Sequence, residues 1–159
     1  MKPKITIVVA VAKNGIIGVN GKIPWNVRGD MAHFKKTTTG GICIFGHNTY
    51  VALPIHPLPN RTNVVISQIF APGPAADGSI VFDTLDAALE HFKDVPEVLI
   101  CGGAYLYKTA LPIADKLIYT IIDMEPAGDT KFPDVDWAEW DKTLSEPGDG
   151  FEITEWERK

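Results

Sequence analysis

The chain has 159 residues, 45% of them hydrophobic and 22% charged, with a formal net charge of -5 and a pI near 5.3. This length and balance suit one compact domain able to bury a substantial core. The acidic balance argues against nucleic-acid binding through a general basic surface, while a locally positive cleft for a small anion remains open.

Residues 5–12 are almost continuously apolar and β-branched, the pattern of a central strand buried on both faces. No cleavage pattern follows them, so they are not read as a signal peptide. No apolar run approaches transmembrane length. The expectation is a cytoplasmic protein without membrane contact. Lys13-Asn14-Gly15 breaks the strand, and a long segment with Gly15, Gly18, Gly21 and Pro24 runs on to Trp25. A stretch this long without a period is usually functional in a small domain, often as a lid.

A helix is predicted to start just after Pro24. It puts Val27, Asp30, Met31 and Phe34 on one face, with Arg28, Lys35 and Lys36 opposite. A carboxylate in an apolar stripe is costly unless it is paired, hydrogen-bonded or protonated. An acid near a helix start also complements the dipole, but that role needs no apolar face. A carboxyl held in a dry pocket has a raised pKa and serves proton chemistry.

Gly40-Gly41 ends this helix. Residues 42–45 form a second buried strand, and Gly46-His47-Asn48-Thr49 leads into a short helix through Leu53. Pro54, Pro57 and Pro59 stiffen a connection closed by Arg61, before a strand over 63–67. Residues 71–78 read as a surface loop. A short strand covers 80–82, and Asp83 or Thr84 caps a helix over 85–92. Residues 98–101 are a buried strand, and Gly102-Gly103 opens a helix that Pro112 stops. A strand covers 116–123 and a turn 125–129. Residues 151–156 alternate strictly, like an antiparallel strand with one wet face. About eight strands and four helices result. The fold expected for residues 1–159 is a single α/β domain with a mostly parallel eight-stranded sheet and an antiparallel C-terminal strand.

Two places repeat a buried strand, a glycine turn and a helix: Gly46-His47-Asn48-Thr49 and Gly102-Gly103-Ala104-Tyr105. Free backbone N–H groups at such helix starts suit phosphate, although composition alone leaves simple turn chemistry ahead. No GxGxxG follows the first strand. His33, His47, His56 and His91 lack metal-ligand spacing, and Cys43 and Cys101 read as buried free thiols, so no metal is expected. No nucleophile–histidine arrangement stands out.

Taken together and in order, these pieces resemble the dihydrofolate reductase family. They are Gly15-Ile16-Ile17-Gly18, Ile23-Pro24-Trp25-Asn26, Asp30 with Phe34-Lys35, Gly46-His47-Asn48-Thr49-Tyr50, Leu58-Pro59-Asn60-Arg61 and Val64-Val65-Ile66-Ser67. Further on come Ile100-Cys101-Gly102-Gly103-Ala104-Tyr105-Leu106-Tyr107, Tyr119-Thr120, and Gly128-Asp129-Thr130 with Phe132-Pro133. The resemblance implies an oxidoreductase of one-carbon metabolism that reduces 7,8-dihydrofolate with NADPH; a monomer is expected separately, since no strongly apolar exposed helix is evident. Asp30 matches the acid that holds the pterin and supports its protonation, and Thr120 the threonine that hydrogen-bonds this acid. Trp25 stands behind the lid. Val8, Val9, Met31, Phe34, Leu53 and Leu58 match the apolar substrate pocket, His56 a rim position, and Arg61 the clamp on the substrate's α-carboxylate.

For the cofactor, the resemblance implies contacts from Ala10 and, in the lid, from Ile17, Gly18, Asn20, Gly21, Lys22 and Ile23. It implies more from His47, Asn48, Thr49, Ser67 and Gln68, and from Cys101, Gly102, Gly103, Ala104, Tyr105, Leu106 and Tyr107. Gly102-Gly103 matches a pair usually joined by a cis peptide. The family commonly has Arg or Lys where this chain has His47, Arg at Tyr105, a third glycine at Ala104, and Ser or Thr at Gln68. Fewer fixed positive charges there predict a weaker grip on NADPH, or less discrimination against NADH. Two other readings stay in view: a riboflavin-pathway reductase on the same fold, and a folate- or nucleotide-binding module without catalysis.

Overall fold

The β-branched run at the start of the chain forms the strand around which the sheet is assembled. A computed structural model describes residues 3–19 and 23–159. In chain order the strands are β1 (Lys4–Ala12), β2 (Ile16–Gly18), β3 (Ile42–Gly46), β4 (Thr62–Ile66), β5 (Gly73–Pro74), β6 (Ile80–Phe82), β7 (Glu97–Ile100), β8 (Lys116–Ile122), β9 (Thr130–Lys131), β10 (Trp140–Gly148) and β11 (Phe151–Arg158). The helices are α1 (Arg28–Thr38), α2 (His47–Ala52), α3 (Leu85–His91) and α4 (Ala104–Ala110).

Nine strands form one sheet in the order β10-β11-β8-β1-β7-β3-β4-β6-β5, and β2 and β9 make a separate ribbon. The six strands from β8 to β6 run parallel, with β1 between β8 and β7. Alternation sends Ile7, Val9 and Val11 into the core under α3 and α4. Val8 faces the other side, with Cys43, Phe45, Val65 and Ile118. Burial on both faces is what the unbroken apolar run of β1 requires.

The sheet has nine strands where eight were expected, and the tail supplies two antiparallel strands instead of one. β10 pairs with β11 at the edge, and most of its residues are exposed. An edge strand needs no apolar alternation, and Pro147 fits there because no further strand requires its N–H. The two-residue β5 closes the opposite edge within what read as a loop.

α1 also departs from expectation: it begins at Arg28, not just after Pro24. The Trp25 indole is 9% exposed and packs with Ala12, Ile16 and Ile122. Residues five apart lie on different sides of a continuous helix. The contact between Trp25 and Asp30 therefore needs an extended chain before Arg28. Elsewhere local chemistry matches the pattern. The Thr84 hydroxyl caps α3 by accepting from the Ala87 N–H at 3.1 Å.

Candidate active site

Asp30 lies in the first turn of α1 and is half-buried. The Trp25 Nε1–H donates to its Oδ2 at 3.4 Å. Burial pushes the carboxyl above its ordinary range; the indole bond and the nearby His33 partly oppose this. Thr120 is 2% exposed and pairs in register with Ala10 of β1, placing it on the α1 face of the sheet. Among the described residues the hydrogen bond to Asp30 comes from Trp25, and the direct Thr120–Asp30 bond implied by the resemblance is not formed.

The apolar surroundings are only partly those expected. Phe34, Leu53 and Leu58 pack, half-buried, on the cluster containing Val8. Met31 is 60% exposed, and Thr38 is the one fully buried residue of α1. The α1 face thus stands off the sheet and leaves apolar surface open beside Asp30. Val9 corrects the expectation in another way: its side chain points to the opposite face, into the core under α4. A one-residue step along a strand reverses the face.

Arg61 closes the far end of α1. Its Nε donates to the Pro59 carbonyl at 2.9 Å and its Nη1 to the Thr38 hydroxyl at 3.0 Å. These bonds orient the guanidinium at the end of the Phe34–Leu58 surface. His56 is exposed, rests on the Tyr50 ring at 5.1 Å and lies within 3.1 Å of the Leu53 carbonyl through Nδ1.

The ends of β3 and β7 are neighbours; β3 runs straight into α2, and β7 reaches α4 through Cys101-Gly102-Gly103. The Gly102-Gly103 peptide is cis. The Gly46 N–H donates to the Gly102 carbonyl at 2.7 Å, joining the two turns. A Cβ on Gly103 would sit 2.6 Å from the Thr49 hydroxyl oxygen, so glycine here leaves room for the Thr49 side chain. The cradle has small walls and backbone N–H donors, which suits a phosphate-bearing group. At its edge His47 Nδ1 lies 2.9 Å from the Ser67 hydroxyl, and its ring packs on Phe70 at 4.5 Å. Asn48, Gln68 and Tyr105 are exposed, Tyr105 at 84%.

Other expected cofactor residues divide by face. Ala104 is half-buried, and Cys101 is buried at the end of β7. The Leu106 side chain is buried in the core, so it presents no surface to a ligand. The Tyr107 ring is also buried, but its hydroxyl donates to the Val8 carbonyl at 2.8 Å and braces β1 beside the Asp30 face.

The lid is tied down on one side. Ile17 packs on the core and Gly18 pairs with Thr130. The Asp129 N–H donates to the Gly18 carbonyl at 3.2 Å, and the Phe132 N–H to that of Gly15 at 3.1 Å. Ile23 is 64% exposed. Asn20, Gly21 and Lys22, expected at the cofactor, lie outside the described residues.

By sequence His33 is weighed only as a metal ligand, although its place three residues after Asp30 on a helix signals proximity. Burial lowers its pKa, while Asp30, Glu155 and Glu146 oppose the shift and Lys36 adds to it.

An acid over the sheet, beside a glycine cradle at the carboxyl ends of parallel strands, is the layout of a nucleotide-dependent α/β enzyme. The family model for dihydrofolate reductase matches residues 4–155, and the chain belongs to that family. It is 38% identical over 142 residues to the dihydrofolate reductase of Haemophilus influenzae, covering 89% of this chain and 86% of that one. It is 41% identical over 142 residues to dihydrofolate reductase type 3 of Salmonella typhimurium, covering 87% and 86%. Among solved structures, a dihydrofolate reductase from Enterococcus faecalis complexed with NADP(H) and RAB-propyl superimposes with a TM-score of 0.88. That likeness covers 98% of this chain and 96% of the other at 29% identity.

Proposed function

We propose that the protein reduces 7,8-dihydrofolate to 5,6,7,8-tetrahydrofolate, with NADPH as the reductant. The observation that carries this reading is the Asp30 carboxyl, half-buried, bonded to Trp25 and raised above its ordinary range by burial. In that state it holds the pterin 2-amino group and N3 and supports proton delivery to N5 through water. Trp25 orients the carboxyl, and Thr120 faces the same space from β8. Phe34, Leu53, Leu58 and Met31 give the rings an apolar surface, and Arg61 holds the α-carboxylate with its planar fork.

The residues at the β3 and β7 ends fit NADPH, because two glycine turns, joined by the Gly46–Gly102 hydrogen bond, bring helix-start N–H donors side by side, the chemistry a phosphate group takes. When bound, NADPH supplies the hydride received at the pterin C6. Gly102, Gly103 and Ala104 would hold it from the turn after β7, His47, Asn48 and Thr49 from the turn after β3, and Ser67 and Gln68 from the end of β4. The lid excludes water from the reacting atoms. We further propose that the enzyme is a cytoplasmic monomer, without nucleic-acid or membrane partners. The net charge of -5 argues against a nucleic-acid partner bound through a basic surface, and among the described residues no helix is long and apolar enough to cross a membrane.

Mixing the protein with dihydrofolate and NADPH tests the reading. Loss of NADPH absorbance and formation of tetrahydrofolate is the expected result. Binding of both ligands without turnover would reduce the protein to a binding module.

A further inference from the structure

The two ends of α1 are held differently. At the C-terminal end, the Thr38 hydroxyl donates to the Phe34 carbonyl at 2.8 Å and accepts from Arg61 at 3.0 Å. At the other end the N-cap is Val27, whose side chain makes no capping hydrogen bond. The turn that carries Asp30 therefore depends on packing for its position. Its packing partner comes from the far end of the sequence. A Cβ on Gly29 would lie 2.3 Å from Phe151 Cε1 and 2.5 Å from Cζ. A Cβ on Gly148 would lie 2.3 Å from Phe151 Cζ. The phenyl ring thus fills a slot between two positions where only glycine leaves room.

The base of that slot is anchored. Phe151 pairs with Ile122 at the end of β8, and the Asp123 N–H donates to the Gly150 carbonyl at 3.0 Å. On its other side the ring packs into the cluster of Ala12, Trp25, Val27 and Ile122. One ring therefore touches the residue before Asp30 and shares a cluster with the Trp25 indole that bonds the Asp30 carboxyl.

We propose that Phe151 is a positioning residue for the reaction, its ring wedged between Gly29 and Gly148 to set the place of Asp30. It acts through the first turn of α1 and touches no reacting atom. The inference rests on the reading of Asp30 as the proton-handling group.

The test compares Gly29→Ala, Phe151→Ala, Phe151→Leu and the double variant Gly29→Ala/Phe151→Ala. Melting curves identify any that fail to fold. Displacement by even part of an ångström lowers reaction rates steeply, so Gly29→Ala and Phe151→Ala should each lower kcat by about tenfold or more. KM for NADPH should change far less, because the cradle hangs on β3 and β7. Phe151→Leu keeps an apolar filler and should retain most of the rate. In the double variant the added methyl occupies vacated space, so the loss should be smaller than the product of the single losses.

Titration of the Asp30 carboxyl by carbon-detected NMR adds a readout independent of turnover. Both single variants should move its midpoint down toward the ordinary range as water gains access. An unchanged midpoint and pH–rate profile in folded Gly29→Ala and Phe151→Ala overturns the inference, as does simple multiplication of losses in the double variant. An inactive wild type, by contrast, would count against the proposed function, and the titration would still decide the role of Phe151.

Discussion

Replacing Asp30 with asparagine keeps the shape of the side chain and removes its ionisation. General acid–base groups typically contribute about 10²–10⁴ in rate. The geometry places Asp30 toward the lower part of that range. It is half-buried, water reaches it, and its hydrogen bond from Trp25 is long at 3.4 Å. A loss of about 10²–10³ in the hydride-transfer step is expected at neutral pH, or ~3–4 kcal/mol in the barrier. Acid should narrow the gap, since solvent can then protonate the pterin directly. Stability should move the other way. Burial holds the folded carboxyl above its unfolded value, so the contribution of its protonated form is fully present below the unfolded value. That contribution is lost as pH rises through the folded value. At neutral pH the wild-type protein therefore keeps a disfavoured charge, and Asp30→Asn should melt at a higher temperature, the difference fading in acid. Stopped-flow rates and melting curves across pH measure both effects. An Asn variant within about threefold of the wild-type rate at neutral pH, or one with an unchanged pH slope, would refute the role of the carboxyl.

Three further outcomes follow from the site and its supports. His47→Arg adds a fixed positive charge at the edge of the cradle and should tighten NADPH by about tenfold while leaving NADH nearly unchanged, as measured by cofactor KM ratios. Equal changes for both cofactors would place His47 away from the extra phosphate. Gly103→Ala brings a methyl within 2.6 Å of the Thr49 hydroxyl. Overpacking of this kind costs ~1–3 kcal/mol, so NADPH affinity should fall by about tenfold with folate-analogue binding preserved, read by calorimetry. Tyr50→Phe removes the 2.7 Å bond from the Tyr50 hydroxyl to Asp77, which ties the 71–79 loop to α2. The Asp77 carboxyl is held below its usual range by Ser79 first and Tyr50 after it, and the Tyr50 hydroxyl is pushed up to about 12. Stability from the depressed carboxyl is present above its unfolded value and lost as pH falls through the folded one. Because Asp77 is exposed, the variant should lose at most ~1 kcal/mol at neutral pH, and less in acid, by urea unfolding.

Much of the molecule was legible without coordinates because its signals are local. The apolar run of β1, the glycine turns after β3 and β7, the cap of α3 and the four helices each follow from neighbouring residues. Asp30 also announced itself locally, as an acid on an apolar helix face. Edges were harder to see. β10 is mostly exposed, so it carries no alternation to detect, and the two-residue β5 is too short for any pattern. The start of α1 was misplaced because Pro24 favours a helix beginning, while the burial of Trp25 depends on Ala12, Ile16 and Ile122.

Ordered motifs along one chain were therefore enough to establish the fold class and the family, and to single out Asp30 as the candidate acid. Only folding decided which side chains share a surface. Val9 and Leu106 looked like ligand contacts by motif, yet strand alternation and helix rotation turn them into the core. Phe151 carries no motif, yet the register between β8 and β11 delivers its ring onto Gly29. Local pattern records what a residue's neighbours in the chain require. Contacts between residues more than a hundred positions apart depend on sheet order and register, which short-range pattern does not encode.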